Sequence, residues 1–301
     1  VGVRSFRFSN VMDAQVGQED VYSNFARNAV ISSLNGFNSC VLAYGQTGSG
    51  KTFSLFGPPQ WMDELEGTSS KLGIVVRSMW ELLDAREKMA REKLSALAIS
   101  VQYVQVYQEV VTDLVDGKKV NLRTSSSGFE LHGAAETTVA SRRDLLEVFR
   151  RGEENKRYRA TAMNERSSRA HTILVVNLQQ NRSKDSAGVD RTEQLIIRSQ
   201  LVLADLAGCE HISKSKVEGS AKREAASINS GLLVLKKCIK ALNEERSHVP
   251  FLESRLTMLL KGALGGSSRT YVLVTGTLED SHGDETIEAL RFGEHCQNIT
   301  N

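Results

Sequence analysis

The sequence predicts an α/β fold in which a central, mainly parallel but mixed β-sheet is covered by helices on both faces. Segments with strand-like alternation, such as residues 96–107, are interleaved with segments whose apolar residues recur at helical spacing, such as residues 75–93. The apolar run at residues 195–204 is nearly continuous, which is typical of a central strand buried on both faces. A glycine-rich stretch, residues 45–52, follows a candidate strand that ends at Tyr44 and precedes a candidate helix, as in a phosphate-binding loop.

The other elements are predicted in order along the chain. The predicted strands are residues 6–9, 96–107, short strands within 122–139, 173–178, 195–204 and 271–277. The predicted helices are residues 20–34, a short helix that stops near Gly57, 75–93, 141–151 with a Ser cap, 228–242, a helix after Pro250, and 285–298. Residues 60–70 are polar and turn-rich, so we expect an exposed loop there.

The composition is that of a soluble globular domain, with 40% hydrophobic and 25% charged residues among 301. Only three prolines occur, and no repeat or low-complexity linker divides the chain, so we expect one domain over residues 1–301. No apolar run approaches the roughly 18 residues of a membrane span. The four cysteines form no C-x-x-C pair, which argues against a zinc site and suits a reducing cytosol.

Residues 45–52 fit the pattern G-x-x-x-x-G-K-[ST]. In such a loop the glycines let backbone N–H groups close around phosphate oxygens, Lys51 supplies a positive charge and Thr52 offers a hydroxyl to Mg²⁺. A plain glycine-rich turn is the alternative interpretation.

Two further stretches support phosphate chemistry. Residues 205–210 follow an apolar strand, and an Asp at the end of a buried strand is a usual place to hold Mg²⁺, here Asp205. Gly208 lets a backbone N–H approach a terminal phosphate. Residues 164–171 bring two hydroxyls and an Arg just before another strand. Taken singly, the first stretch is also explained by a strand-terminating turn and the second by a Ser-rich turn.

In this order, the three stretches resemble the motor domain of the kinesin family. The resemblance is carried by residues 44–52, by Asn164, Ser167, Ser168, Arg169 and His171, and by residues 205–208 with Glu210. It extends to residues 228–229, 248–250, Ser254, Leu256, Thr257, 259–260, 264–266 and 290–292. The matches run from about Phe6 to Asn298, so they cover nearly the whole chain.

The resemblance implies a P-loop NTPase fold of the kinesin type that binds ATP or ADP with Mg²⁺. The cofactor-binding residues it implies are Gln46, Thr47, Gly48, Ser49, Gly50, Lys51, Thr52, Phe53 and Ser168. Metal ligands would be Thr52 and Ser168, with Asp205 acting through water. Phe53 would stack on adenine, although plain packing is equally open for it. A guanine nucleotide is disfavoured, because the chain has no N-K-x-D or T-K-x-D and residues 155–158 lack the Asp.

The resemblance also implies two switches, residues 164–171 and residues 205–210, which respond to the γ-phosphate. Arg169 and Glu210 would form a salt bridge between them, Gly208 would contact the phosphate, and Ser167 would orient the attacking water. Ala170 and Cys209 stand where the family usually has Ser, but the Arg169 and Glu210 pair is retained. Downstream, residues 212–227 would form a loop and residues 228–242 the relay helix that faces tubulin.

Microtubules are the partner that the resemblance implies. Candidate tubulin contacts are Lys214, Lys216, Lys222, Arg223, Lys236, Lys237, Lys240 and Arg255. Any one of them is also explained as a solvated surface charge. Basic positions of the family are occupied here by Leu252, Met258, Ala226 and Ser230. We therefore expect weakened or altered microtubule affinity that depends more strongly on salt.

The resulting hypothesis is a microtubule-dependent ATPase motor in the cytoplasm, on the cytoskeleton, with no nucleic acid or membrane partner. The alternative is a motor-like microtubule-binding or regulatory protein with impaired hydrolysis or stepping. No R-x-R-P motif precedes Phe6, and a neck would begin near Asn301, so we expect that the first strand and the neck are missing or truncated. Dimerisation would use segments outside this chain.

Overall fold

The computed structural model of the chain describes residues 4–58, 61–62, 70–93, 95–125, 128–163, 169–183, 194–209 and 220–299. The strands are β1 (Ser39–Gly45), β2 (Ala96–Tyr107), β3 (Val110–Asp113), β4 (Lys119–Ser125), β5 (Gly128–His132), β6 (Thr137–Thr138), β7 (His171–Ser183), β8 (Gln194–Asp205) and β9 (Arg269–Thr275). The helices are α1 (Gln18–Val21), α2 (Arg27–Leu34), α3 (Lys51–Leu55), α4 (Ile74–Arg91), α5 (Arg142–Met163), α6 (Ser220–Asn243), α7 (Arg255–Leu260) and α8 (Gly283–Gln297).

The strands form one mixed sheet in the order β5-β4-β3-β2-β7-β8-β1-β9, with β6 paired to β2. Among the described pairings only those of β1 are parallel, with β8 on one side and β9 on the other. The sheet is mixed as expected, but the expectation that it is mainly parallel is wrong, because the other described pairings are antiparallel. The ten residues between β7 and β8 are too few for the crossover that parallel neighbours need.

Alternate residues of the central strands point to two cores, one on each face of the sheet. In β1, Val41 and Ala43 join the core under α1–α5, while Leu42 and Tyr44 join the core under α6–α8. The Tyr44 ring stacks on Phe292 of α8 with centroids 3.6 Å apart. Helices thus cover both faces, as the sequence predicts. No helix in the described part of the chain is long and apolar enough to cross a membrane.

Most predicted elements are confirmed, with shifted ends. The helix predicted at residues 20–34 is α1 and α2 joined by a π-helical turn, Tyr22–Ala26. The Ser cap of α5 is present, since the Ser141 hydroxyl accepts the Asp144 N–H at 3.2 Å. This helix continues twelve residues beyond the predicted end at Arg151.

Four expectations are corrected. Residues 6–9 are not a strand; Phe8 instead lies against α8 at Gly293, and the Arg7 carbonyl accepts a hydrogen bond from Gln297. Helix α6 begins at Ser220, so the loop expected at 212–227 is wrong for its last eight residues.

In β8, Leu195 and Ile196 are 44% and 49% exposed, so burial on both faces is limited to the later part of the strand. Within the loop expected at 60–70, Trp61 is buried against Phe56 and Phe149 because its indole completes that core. Most of the remaining loop lies outside the described residues.

Candidate functional site

The glycine-rich loop leaves the carboxyl end of β1 and enters α3 at Lys51. Gly48 and Gly50 have φ angles of 81° and 99°, which favour glycine. A Cβ atom on Gly45 would lie 2.3 Å from the carbonyl oxygen of Thr275 in β9. The loop is therefore seated tightly between two parallel strands, and its glycines are required by both backbone conformation and space.

Lys51 is buried within this loop. Its Nζ donates hydrogen bonds to the carbonyl oxygens of Gly45 at 2.9 Å and of Gln46 at 2.7 Å. The ammonium charge is thus held at the centre of the loop, where it can act on a bound anion.

Thr52 and Asp205 meet across the end of the sheet. The Thr52 hydroxyl donates to Oδ2 of Asp205 at 2.6 Å, and the buried Oδ1 of Asp205 has no hydrogen-bond partner among the described residues. Burial raises the pKa of Asp205, although the Thr52 hydrogen bond and the charge of Lys51 act in the opposite direction. A hydroxyl beside a carboxylate with an unpaired buried oxygen fits a hard divalent cation.

Two side chains predicted to bind the nucleotide also brace the loop from outside. The Ser49 hydroxyl lies 2.6 Å from the Thr275 hydroxyl of β9, and Oε1 of Gln46 accepts from the Thr286 hydroxyl of α8 at 3.1 Å. Thr47 is exposed at the loop surface. Sequence reasoning missed Thr275 and Thr286, since neither belongs to a motif that was recognised.

Phe53 lies on α3 with half of its side chain, 51%, exposed. That exposure does not fit the plain-packing alternative, so adenine stacking stays a prediction. Its backbone carbonyl accepts a hydrogen bond of 2.6 Å from the side-chain amide of Gln18, which is buried in α1. Gln18 therefore ties the first helix to the helix that follows the loop, a role that sequence reasoning missed.

The stretch after β8 returns to the same loop. The N–H groups of Leu206 and Cys209 donate to the carbonyl oxygens of Ala43 and Gly45 at 3.3 and 3.2 Å. Gly208 is buried between them. The structure thus brings Gly208 beside the glycine-rich loop, as predicted from the order of the motifs.

The remaining predicted catalytic residues are described only in part. Ser167, Ser168 and Glu210 lie outside the described residues. Arg169 is half-buried just before β7. The salt bridge between Arg169 and Glu210 therefore stays a prediction.

The near match to a guanine-reading motif at residues 155–158 has a structural role. The Asn155 amide donates to the Leu114 carbonyl at 2.8 Å, and Nζ of Lys156 bonds to Tyr103 at 2.5 Å and Glu153 at 2.7 Å. Both side chains thus make hydrogen bonds that fix α5 against the sheet, which agrees with the sequence argument against guanine.

The predicted tubulin contacts lie mainly on α6 and α7. Lys214 and Lys216 fall outside the described residues, and the side chains of Lys222 and Arg223 do as well. The described lysines each face a carboxylate, in the pairs Lys236 with Glu288 at 3.7 Å, Lys237 with Glu253 at 3.1 Å and Lys240 with Glu244 at 3.8 Å. Next to them, Leu252 is 71% exposed. The positive potential of this surface is therefore partly cancelled.

Comparisons with known proteins agree with this geometry. The kinesin motor domain family matches residues 2–299. Kinesin-like protein KIN-14G of Arabidopsis thaliana is 36% identical over 303 residues, which cover 99% of this chain and 29% of that protein. Kinesin-like protein KIN-14Q of Oryza sativa subsp. japonica is 36% identical over 302 residues, which cover 99% of this chain and 30% of that protein.

A solved structure, described as a fast kinesin with implications for ATPase mechanism and interactions with microtubules, superposes with a TM-score of 0.87 at 31% identity. The alignment covers 98% of this chain and 80% of that one. The chain spans under a third of the length of the curated relatives named above. Since the family match extends over nearly all of its residues, the chain belongs to the kinesin motor domain family.

Proposed function

We propose that this chain hydrolyses Mg-ATP and that microtubules stimulate the reaction. The observation that supports it most is the meeting of Lys51, Thr52 and Asp205 at one end of the sheet, where Thr52 and Asp205 are 2.6 Å apart. Phosphoryl transfer to water depends on positioning and charge stabilisation more than on covalent chemistry. A buried ammonium, a hydroxyl and a carboxylate with an unpaired oxygen are suited to that task.

Each residue of the site has a proposed role. Lys51 binds the β- and γ-phosphates, Thr52 and Ser168 ligate Mg²⁺, and Asp205 holds it through water. When bound, the Mg²⁺ ion neutralises charge on the phosphate oxygens. Gly208 offers its N–H to the terminal phosphate, and Phe53 stacks on adenine.

The water that attacks the phosphate is proposed to be handled by the two switches. Ser167 orients it, and the salt bridge between Arg169 and Glu210 holds the switches together while ATP is bound. Glu210 then lies near the chain of waters that carries the proton away.

Glu210→Ala tests this arrangement. We expect a fall in microtubule-stimulated turnover of about a hundredfold or more, because proton removal and switch closure are both lost. ATP affinity should stay nearly unchanged, since the phosphate loop is intact. Turnover and nucleotide affinity are measured together, with Glu154→Ala on the exposed side of α5 as the control. Turnover equal to that of the unchanged chain would remove Glu210 from the mechanism.

Tubulin is proposed to bind the surface formed by α6, residues 251–253 and α7. Because tubulin is acidic, each carboxylate that pairs with a lysine on this surface opposes binding. The expected consequence is a weak interaction that salt weakens further.

Glu253→Gln should strengthen microtubule binding. The change removes the negative charge that lies 3.1 Å from the exposed Lys237, so we expect affinity to rise about two- to fivefold at low salt and less at high salt. Cosedimentation across a salt series measures the affinity. Glu154→Gln, which removes the same charge from α5, is the control. An equal gain for both variants, or none for Glu253→Gln, would count against this surface.

The second candidate function is a motor-like microtubule-binding or regulatory protein that hydrolyses ATP poorly. The observation that favours it is the pairing of Lys236, Lys237 and Lys240 with carboxylates. Cytoplasmic location on the cytoskeleton, and dimerisation through segments outside this chain, are proposed from family membership alone.

A further inference from the structure

His171 begins β7 and is buried at the centre of the sheet, with 4% of its surface exposed. Its strand neighbours are Val106 of β2 and the end of β8, where Thr172 pairs with Asp205. Its Nδ1 accepts a hydrogen bond of 3.0 Å from the backbone N–H of Ala207. A side chain at the start of one strand thus holds the main chain that follows the next strand.

The imidazole of His171 accepts this hydrogen bond in its neutral form. Because Nδ1 accepts a hydrogen bond, the proton of the neutral ring is on Nε2. Burial, together with the nearby charge of Lys51, lowers the pKa of His171 to about 3. The imidazole is therefore neutral at physiological pH, and its bond to Ala207 does not depend on a change of protonation.

The bond completes a frame around Gly208. Three backbone N–H groups next to the glycine donate hydrogen bonds. The Leu206 N–H donates to the Ala43 carbonyl, the Ala207 N–H to His171, and the Cys209 N–H to the Gly45 carbonyl. Among the described residues the Gly208 N–H has no hydrogen-bond partner. Of the three bonds in the frame, only the one to His171 uses a side chain, so only that one can be removed by substitution.

The other side of the ring faces α6. A Cβ atom placed on Gly231 would lie 3.8 Å from Nε2 of His171, 3.3 Å from the Ser254 hydroxyl and 3.6 Å from Oε1 of Glu109. Glu109 accepts hydrogen bonds from the Ser254 hydroxyl and the Arg255 N–H at the start of α7. The imidazole is thus enclosed between the Ala207 main chain and the helices of the proposed tubulin surface.

We infer that His171 is a positioning residue: it anchors the Leu206–Ala207 peptide and thereby sets the orientation of the next peptide, so that the free Gly208 N–H points at the terminal phosphate of ATP. The inference rests on the proposed function, because it concerns how that same site distinguishes ATP from ADP. Without the bond, the anchor before Gly208 is lost, the Ala207–Gly208 peptide can rotate, and the Gly208 N–H is no longer presented to the phosphate. ADP, which lacks the terminal phosphate, does not use this contact.

The experiment compares His171→Asn with His171→Leu. The Asn side-chain oxygen can take the place of Nδ1 as acceptor, whereas Leu fills the space without accepting. His132→Asn, at an exposed position of β5, serves as the control. Melting temperature establishes that each variant is folded. Amide hydrogen exchange at Ala207 in the nucleotide-free chain reports on the anchor itself.

For His171→Leu we expect faster exchange at Ala207 and a loss of about tenfold in affinity for the β,γ-imido analogue of ATP, with ADP affinity changed by less than about threefold. kcat/KM for ATP should fall by a similar factor. His171→Asn should retain slow exchange and most of the affinity for the analogue. Equal behaviour of the Asn and Leu variants, or equal losses for ADP and the ATP analogue, would overturn the inference.

These readouts separate the inference from the proposed function. If the unchanged chain binds the ATP analogue without hydrolysing ATP, the proposed hydrolysis fails while the exchange and affinity comparisons still decide the role of His171. If the unchanged chain hydrolyses ATP and the variants show no selective loss, the role of His171 fails alone. If His171→Leu does not fold, His171→Gln takes its place. The Gln amide is one methylene farther from the backbone than that of Asn and lies nearer the position of Nε2 than of Nδ1, so this variant should show the selective loss.

Discussion

Lys51→Ala is expected to lower affinity for Mg-ATP and Mg-ADP by about a hundredfold or more, since a charge-assisted hydrogen bond contributes about 1.5–3 kcal/mol and more than one phosphate is affected. Lys51 is buried and already lies within the loop, held by the carbonyl oxygens of Gly45 and Gln46. Binding therefore uses a charge whose position is set before the nucleotide arrives. Titration with a fluorescent ADP measures the change.

The matched control is Lys118→Ala, which removes a lysine whose side chain is 76% exposed and paired with Asp116 in a surface turn. Its nucleotide affinity should equal that of the unchanged chain. Lys51→Arg is a second useful variant, because the planar guanidinium does not fit a space built for an ammonium and should also bind weakly. Normal ADP affinity in Lys51→Ala would show that the loop does not hold phosphate.

Gly45→Ala is expected to destabilise the chain by about 3 kcal/mol or more and to abolish tight nucleotide binding. The added Cβ would lie 2.3 Å from the Thr275 carbonyl, 2.4 Å from the Thr275 hydroxyl and 2.8 Å from the Ser49 hydroxyl. Two of these atoms belong to the brace between the loop and β9, so β1 and β9 must separate. Thermal and denaturant unfolding measure the loss.

Gly283→Ala provides the control, because a Cβ at Gly283 meets nothing within 4 Å and the backbone there has φ −58°. This variant should change stability by no more than about 0.5 kcal/mol. A Gly45→Ala variant as stable as Gly283→Ala would mean that the close approach of β1 and β9 is not required.

The sequence predicted the architecture because local patterns and chain order carry most of that information. The strand β2 was predicted with the bounds it has, and the apolar seam of α6 predicted its buried face at Leu232, Leu235 and Ile239. The C-terminal end of α5 and the N-terminal end of α6 were missed. Both lie in polar stretches of sequence, where no apolar residues recur at helical spacing to indicate a helix.

The phosphate loop was predictable because its backbone conformation requires glycines at fixed spacing. Its supports were not, because Thr275, Thr286 and Gln18 reach the loop from distant parts of the chain and only the fold brings them there. His171 was part of a recognised stretch, yet its bond to Ala207 depends on the antiparallel register of β7 and β8. Register of this kind is a tertiary property.

The tubulin surface shows the same limit. Counting lysines suggested a weakened but still basic face, whereas the structure adds that Glu253, Glu244 and Glu288 lie within 4 Å of those lysines. Glu253 and Glu288 belong to other elements, so their effect on Lys237 and Lys236 could not be read from the sequence of α6 alone.

Steady-state ATP hydrolysis, measured with and without polymerised microtubules, decides whether this chain is a microtubule-stimulated ATPase. Lys51→Ala supplies the background rate. If the chain is a microtubule-stimulated ATPase, microtubules should raise turnover many-fold, and this gain should diminish as salt screens the weak tubulin surface. Turnover that is the same with and without microtubules at low salt, where binding is strongest, would show that microtubules do not stimulate this chain.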